Sequence, residues 1–213
     1  MVRHAHAAED KQARRQAILD AAGALFVAGD GSLPAAAEIA TAAGLAKGTV
    51  YLYFRTKEEI FTDLLLQACL AALDRIEASF AVQLDSRRTQ VATFVTTYVG
   101  HVAQYPLLLR LDAMSHSILE KNLDAAKLRD FKLTFVSRLV ATGTVVEQAL
   151  RLSPGRGTSL LMRSFALTRG LWQSSSADDC VVDPALVSIQ PPFDQELAEA
   201  LTEYWRGALI EQD

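Results

Sequence analysis

Cysteine is nearly absent from the 213 residues: Cys69 and Cys180 stand far apart, with no CxxC or Cys/His spacing around them. That leaves no basis for a disulfide framework, a thiol redox pair or a zinc site. Histidine is scarce too, and its one close pair, His4 and His6, lies in a stretch without hydrophobic periodicity, which reads as a disordered arm rather than a metal site. No run of about 18 apolar residues occurs. The segment from Met1 to Arg15 is polar and charged, unlike a signal peptide. A cytoplasmic protein without membrane contact is expected. GxSxG, Walker and HExxH arrangements are all missing, so a helical enzyme is a remote alternative, and no cofactor is expected.

What is present is ordinary for a globular chain: 50% hydrophobic and 22% charged residues, with a net charge of −4. That balance argues against indiscriminate coating of nucleic acid. Its distribution says more. Residues 1 to 60 hold seven bases (Arg3, Lys11, Arg14, Arg15, Lys47, Arg55 and Lys57) and seven acids, and between Leu45 and Lys57 three bases stand with no acid. Phosphates have a place to land there.

Helical periodicity runs through the chain. Ile18, Ala22, Leu25 and Phe26 mark one face of a helix from about Asp10 to Ala28, stopped by Gly29-Asp30-Gly31. A second helix follows Pro34, a residue suited to a helix start, and stops at Gly44. A third, Ala46 to Phe54, sets Val50 and Phe54 on one face. Thr56-Lys57-Glu58-Glu59 is a capping box that opens a long fourth helix reaching about Leu84. Further helices are expected at about Arg88 to Gln104, Leu107 to Lys121, Leu123 to Leu152, Gly155 to Ser174 and Phe193 to Ile210, with a loop between Ser174 and Pro192. The fold class is all-α with about nine helices, divided at residues 1–55 and 56–213.

A short helix, a glycine turn and a second short helix make a helix-turn-helix from Pro34 to Phe54, whose second helix can enter the major groove. Leu45, Val50 and Phe54 would anchor that helix, leaving Lys47, Thr49, Tyr51 and Tyr53 outward. Lys47 suits a phosphate or a guanine edge, and the Thr49 methyl or the Tyr51 ring suits a thymine methyl. Tyr53 and Lys57 suit phosphates, beside the first amides of the fourth helix.

The run Ile39-Ala40, then Ala43-Gly44-Leu45-Ala46-Lys47-Gly48-Thr49-Val50-Tyr51-Leu52-Tyr53-Phe54, then Lys57-Glu58, resembles the DNA-binding signature of TetR-family regulators. Ile18-Leu19-Asp20-Ala21-Ala22 and Leu25-Phe26 fall where that family's first helix would place them. The resemblance covers Gln12 to Phe61. It implies that Lys47, Gly48, Thr49 and Tyr51 meet bases or nearby backbone, and that Tyr53 and Lys57 bind phosphates. It also implies an Ω-shaped homodimer, each subunit joining a three-helix DNA-binding domain to a larger helical domain with an effector pocket, paired through its last two long helices. Two departures stand out: Ala46 replaces the usual serine, at a cost of about 0.5–2 kcal/mol if no other cap serves, and Pro34-Ala35 replace the usual threonine or serine.

In the larger domain Phe94, Tyr98, His101, Phe131, Phe135 and Trp172 combine apolar surface with polar tips, as a pocket for a small apolar or amphipathic effector would. Phe165, Leu171, Leu197, Leu201, Tyr204 and Trp205 are candidates for an intersubunit four-helix bundle. The expected function is a sequence-specific transcriptional regulator, a repressor released from a palindromic operator on double-stranded DNA by a small effector. A regulator answering to a protein partner, or to no effector, is the alternative.

Overall fold

The computed structural model describes residues 2–82, 84–175 and 192–210, and these contain helices and no strand. In chain order the helices are α1 (Val2–Ala28), α2 (Ala36–Ala42), α3 (Lys47–Tyr53), α4 (Lys57–Ala81), α5 (Arg87–Gln104), α6 (Leu107–Met114), α7 (Ala125–Leu150), α8 (Arg156–Ser175) and α9 (Phe193–Ile210). The expected loop between Ser174 and Pro192 and the second cysteine, Cys180, fall almost wholly outside the described residues. Among those residues no helix is long and apolar enough to cross a membrane, and no group of His, Cys, Asp and Glu could hold a metal ion.

Two boundaries differ from the periodicity. Helix α1 begins at Val2 rather than near Asp10. Residues 2–9 contain neither Gly nor Pro, and three of them are alanine, so helix propensity continues the helix beyond the point where an apolar face ends. The single helix expected from Leu107 to Lys121 is α6 followed by a π-helical turn, Ser115–Leu119, and a 3₁₀ turn, Glu120–Asn122.

The chain forms two compact units, Met1–Ala68 with Arg110–Lys132, and Cys69–Leu109 with Leu133–Asp213. Unit 1 therefore extends past the expected limit at residue 55 and takes in a second segment. Its core is Ile18, Leu19 and Phe26 of α1, Ile39 and Ala40 of α2, Val50 and Phe54 around α3, and Ile60, Phe61, Leu64 and Leu65 of α4, all buried. Phe26 and Phe61 meet with ring centroids 5.6 Å apart. Arg110 closes the end of α1: its guanidinium donates to the carbonyls of Val27 and Gly29, each at 3.1 Å, and lies 4.9 Å from the Phe26 ring centre.

The core of unit 2 gathers Leu73, Ile76 and Phe80 of α4, six residues of α5 including Phe94 and Tyr98, Leu139 and Val146 of α7, Leu160 and Leu161 of α8, and Leu197, Leu201 and Trp205 of α9. Two of its buried polar pairs are matched, whereas the buried Tyr204 hydroxyl has no partner among the described residues. The Trp205 indole donates to Ser164 Oγ at 2.9 Å, and the Tyr98 hydroxyl to Thr168 Oγ1 at 3.1 Å. Helices α7 and α8 approach so closely that a Cβ built on Gly143 would lie 2.6 Å from the Thr158 nitrogen and 2.8 Å from its Cα.

Arg138 of α7, a cation on an otherwise apolar stretch, finds its partners on α4. Its guanidinium donates to both carboxylate oxygens of Glu77 and, at 2.6 Å, to Asp74, while the Thr142 hydroxyl donates to Glu77 at 2.7 Å. The Arg138 hydrogen bonds, more than burial opposes, hold the Glu77 carboxyl below its ordinary value near 4.5. A depressed carboxylate stabilises the fold fully above the unfolded value, and that contribution disappears as pH falls through the folded one. The Tm difference between wild type and Glu77→Gln should accordingly be constant above about pH 5 and shrink below pH 4.5. A difference unchanged down to pH 3 would show that the ion pair is not its source.

Candidate nucleic-acid interface

Gly44 makes the turn between α2 and α3 with φ +67°, a conformation that side chains with a Cβ resist. The turn is tied by Gly44 N to Thr41 O at 3.1 Å and Leu45 N to Ala40 O at 2.8 Å. Helix α2 starts without a capping hydroxyl, yet the Glu38 carboxylate reaches back to the Ala35 amide at 2.7 Å. Helix α3 has no such substitute: Ala46 occupies its N-cap with no side-chain hydrogen bond.

Val50 and Phe54 fix α3 to the unit 1 core, exposed by only 1% and 2%. With about 100° between successive residues, the direction opposite Val50 falls on Leu52 and, one turn earlier, Gly48. Leu52 is 80% exposed and Tyr51 49%. Lys47 and Gly48 are exposed as well, whereas Thr49 and Tyr53 are half-buried on the flank. The outward face is thus Lys47, Gly48, Tyr51 and Leu52, and Leu52 is a member the sequence reading passed over. Angular arithmetic from Val50 points to it, although an exposed aliphatic side chain carries no polar signal of a binding face.

Lys57 is half-buried, and its ammonium donates to the Leu33 carbonyl at 3.3 Å, bracing the segment ahead of α2. The capping box forms one residue off its usual reach: Thr56 Oγ1 accepts from the Glu59 amide at 3.2 Å, and the Glu59 carboxylate accepts from the Arg55 amide at 2.8 Å. Arg15 is committed to the fold. It pairs with Asp63, whose other oxygen takes Lys127 Nζ at 2.7 Å, and its guanidinium lies 5.2 Å from the Phe54 ring centre.

The six residues expected around an effector have different surroundings. Phe94 and Tyr98 are fully buried and stacked, 5.8 Å apart, inside the unit 2 core. Tyr98 meets Phe165 at 5.9 Å, and Phe165 meets Phe135 at 6.3 Å, so a series of rings runs from the core to half-buried Phe135. His101 lies 4.9 Å from Tyr105, and burial, reinforced by the charge of Arg75, lowers its pKa below the usual 6.5. Trp172 packs on Phe193 at 5.2 Å. Phe131 is half-buried on α7, one helical turn before Phe135.

A correction concerns the intersubunit residues. Leu197, Leu201 and Trp205 are 0% exposed in the single chain, because this face of α9 packs on α5 and α8 of its own subunit. They have no surface left for a twin. Phe165, Leu171 and Tyr204 are half-buried against the same core.

The family profile described as bacterial regulatory proteins, tetR family, matches residues 18–64, and the profile described as the tetracyclin repressor-like C-terminal domain matches residues 66–212. Similar solved structures include a TetR-family transcriptional regulator from Streptomyces coelicolor, 15% identical over 94% of this chain and 81% of that one, TM-score 0.61. Another is a TetR transcriptional regulator from Rhodococcus sp. RHA1, 18% identical over 96% of this chain and 100% of that one, TM-score 0.60. No curated protein matches the sequence.

Proposed function

Since the chain belongs to the TetR family of DNA-binding transcriptional regulators, we propose that it is a cytoplasmic repressor that leaves a palindromic operator when a small apolar or amphipathic molecule binds unit 2. The observation that carries the DNA side is α3 itself, with Val50 and Phe54 locked inward while Lys47, Gly48, Tyr51 and Leu52 face out. Two copies related by a two-fold axis would address half-sites about 34–36 Å apart. The exposed side of α8 and α9 would join them, with Leu171 and Tyr204 at its margin and Met162, which is exposed, within it. The effector would approach along Phe135, Phe165 and Trp172, whose rings are half-buried at the edge of the core. To release DNA it must bind the two states of the dimer with different affinity.

Mobility-shift titration on the DNA flanking the gene tests the reading, and binding without sequence preference at moderate salt would defeat it. In the same assay Lys57→Ala should weaken specific and nonspecific binding alike and lower the salt slope by about one unit, as loss of one phosphate contact does. An unchanged slope would confine Lys57 to bracing Leu33.

A further inference from the structure

Between the start of α5 and the end of α9 lies an open groove of about 370 Å³, within the range of small-molecule sites. Val91, Ala92 and Leu209 form its apolar surface, and Arg87, Arg88 and Arg206 border it. Thr202 completes the lining, which contains no carboxylate. In a chain of net charge −4, three guanidinium groups around one apolar trough are a local reversal of sign. Arg88 and Arg206 are exposed and, among the described residues, form no ion pair. Arg87 also borders a neighbouring, more polar hollow that includes Asp85, which leaves Arg88 and Arg206 as the two cations facing the groove alone. The first turn of α5 carries no acidic residue, and its amide dipoles add positive potential at the same end. None of the rings of the Phe94, Tyr98, Phe165 and Phe135 series lines the groove.

The geometry points to a binding site for an anionic amphiphile: a carboxylate or phosphate head held by Arg88 and Arg206, with an alkyl chain laid over Val91, Ala92 and Leu209. Guanidinium groups match both kinds of head through paired, charge-assisted hydrogen bonds. The aliphatic floor takes the tail from water. The site is separate from the aromatic region proposed above for the effector, and its occupancy does not depend on DNA.

Calorimetric titration of the full chain, without DNA, tests it with decanoate, decyl phosphate, decanol and decyltrimethylammonium, all below micelle formation. At least one anion should bind, more weakly as salt rises, while decanol and the cation bind about tenfold more weakly or not at all. The tighter anion names the head group. The Arg88→Gln/Arg206→Gln double variant should lose more than about tenfold in affinity, since about tenfold is the loss expected for a single charge-assisted bond. Ala92→Glu, at an exposed position, should abolish anion binding by placing a carboxylate in the trough and serves if the double variant does not fold. Absence of binding by both anions, equal binding of decanol, or wild-type affinity in a folded variant would overturn the site.

Discussion

Gly143→Ala should lower Tm by about 6–12 °C, although alanine is the better helix former. In an exposed helix interior the exchange stabilises by roughly 0.5–1 kcal/mol. At Gly143 the new methyl would sit 2.6 Å from the Thr158 nitrogen and 2.8 Å from its Cα, and closer still to its hydroxyl. Two of those neighbours are backbone, which cannot turn aside as a side-chain tip can. The approach is reciprocal, since a Cβ on Gly157 would run into the Gly143 carbonyl and lie 2.9 Å from the Glu147 Cγ. The Gly157 amide also donates to the Glu147 carboxylate at 3.0 Å, a bond that separation of α7 and α8 would break. Overpacking a close helix crossing costs about 3 kcal/mol, and in a chain of this size each kcal/mol moves Tm by roughly 2–4 °C. Gly100→Ala is the control. Nothing lies within 4 Å of a Cβ there, so its Tm should hold or rise. Equal melting of the two variants would show that α7 and α8 can part without loss.

That crossing was invisible in the sequence for a reason that recurs. A glycine inside a helical run signals a lowered propensity but does not say which helix it admits. Gly44 was legible because its consequence is local: the turn closes on Thr41 and Ala40, within a few residues. Val50 and Phe54 were legible because a four-residue spacing defines a face without reference to anything distant. The same spacing in Leu197, Leu201 and Trp205 showed that α9 has a buried side and left open whether its own subunit or a twin covers it. The partners that decide, α5 and α8, are remote in sequence. Arg138 illustrates the polar version, since its partners Asp74 and Glu77 lie more than sixty residues away. The π turn at Ser115–Leu119 has no periodic signature at all.

Tyr51→Ala is expected to reduce operator affinity by about 10- to 100-fold while nonspecific binding changes by less than about threefold, in line with about 1–3 kcal/mol for one base-pair contact. The ring is half exposed and belongs to no buried cluster, so Tm should stay within a few degrees, and loss of affinity cannot be traced to unfolding. No phosphate charge is removed, so the salt slope should match wild type, in contrast to Lys57→Ala. Leu52→Ala gives a second reading of the same face. Leu52 points most directly away from Val50 and offers only aliphatic surface, so its contribution would be contact with a thymine methyl and would fall on A·T-containing sequences alone. If Tyr51→Ala lowered binding to every sequence equally, the ring would be touching the backbone. The sequence preference would then rest with Lys47 and Leu52, three residues before and two after Val50.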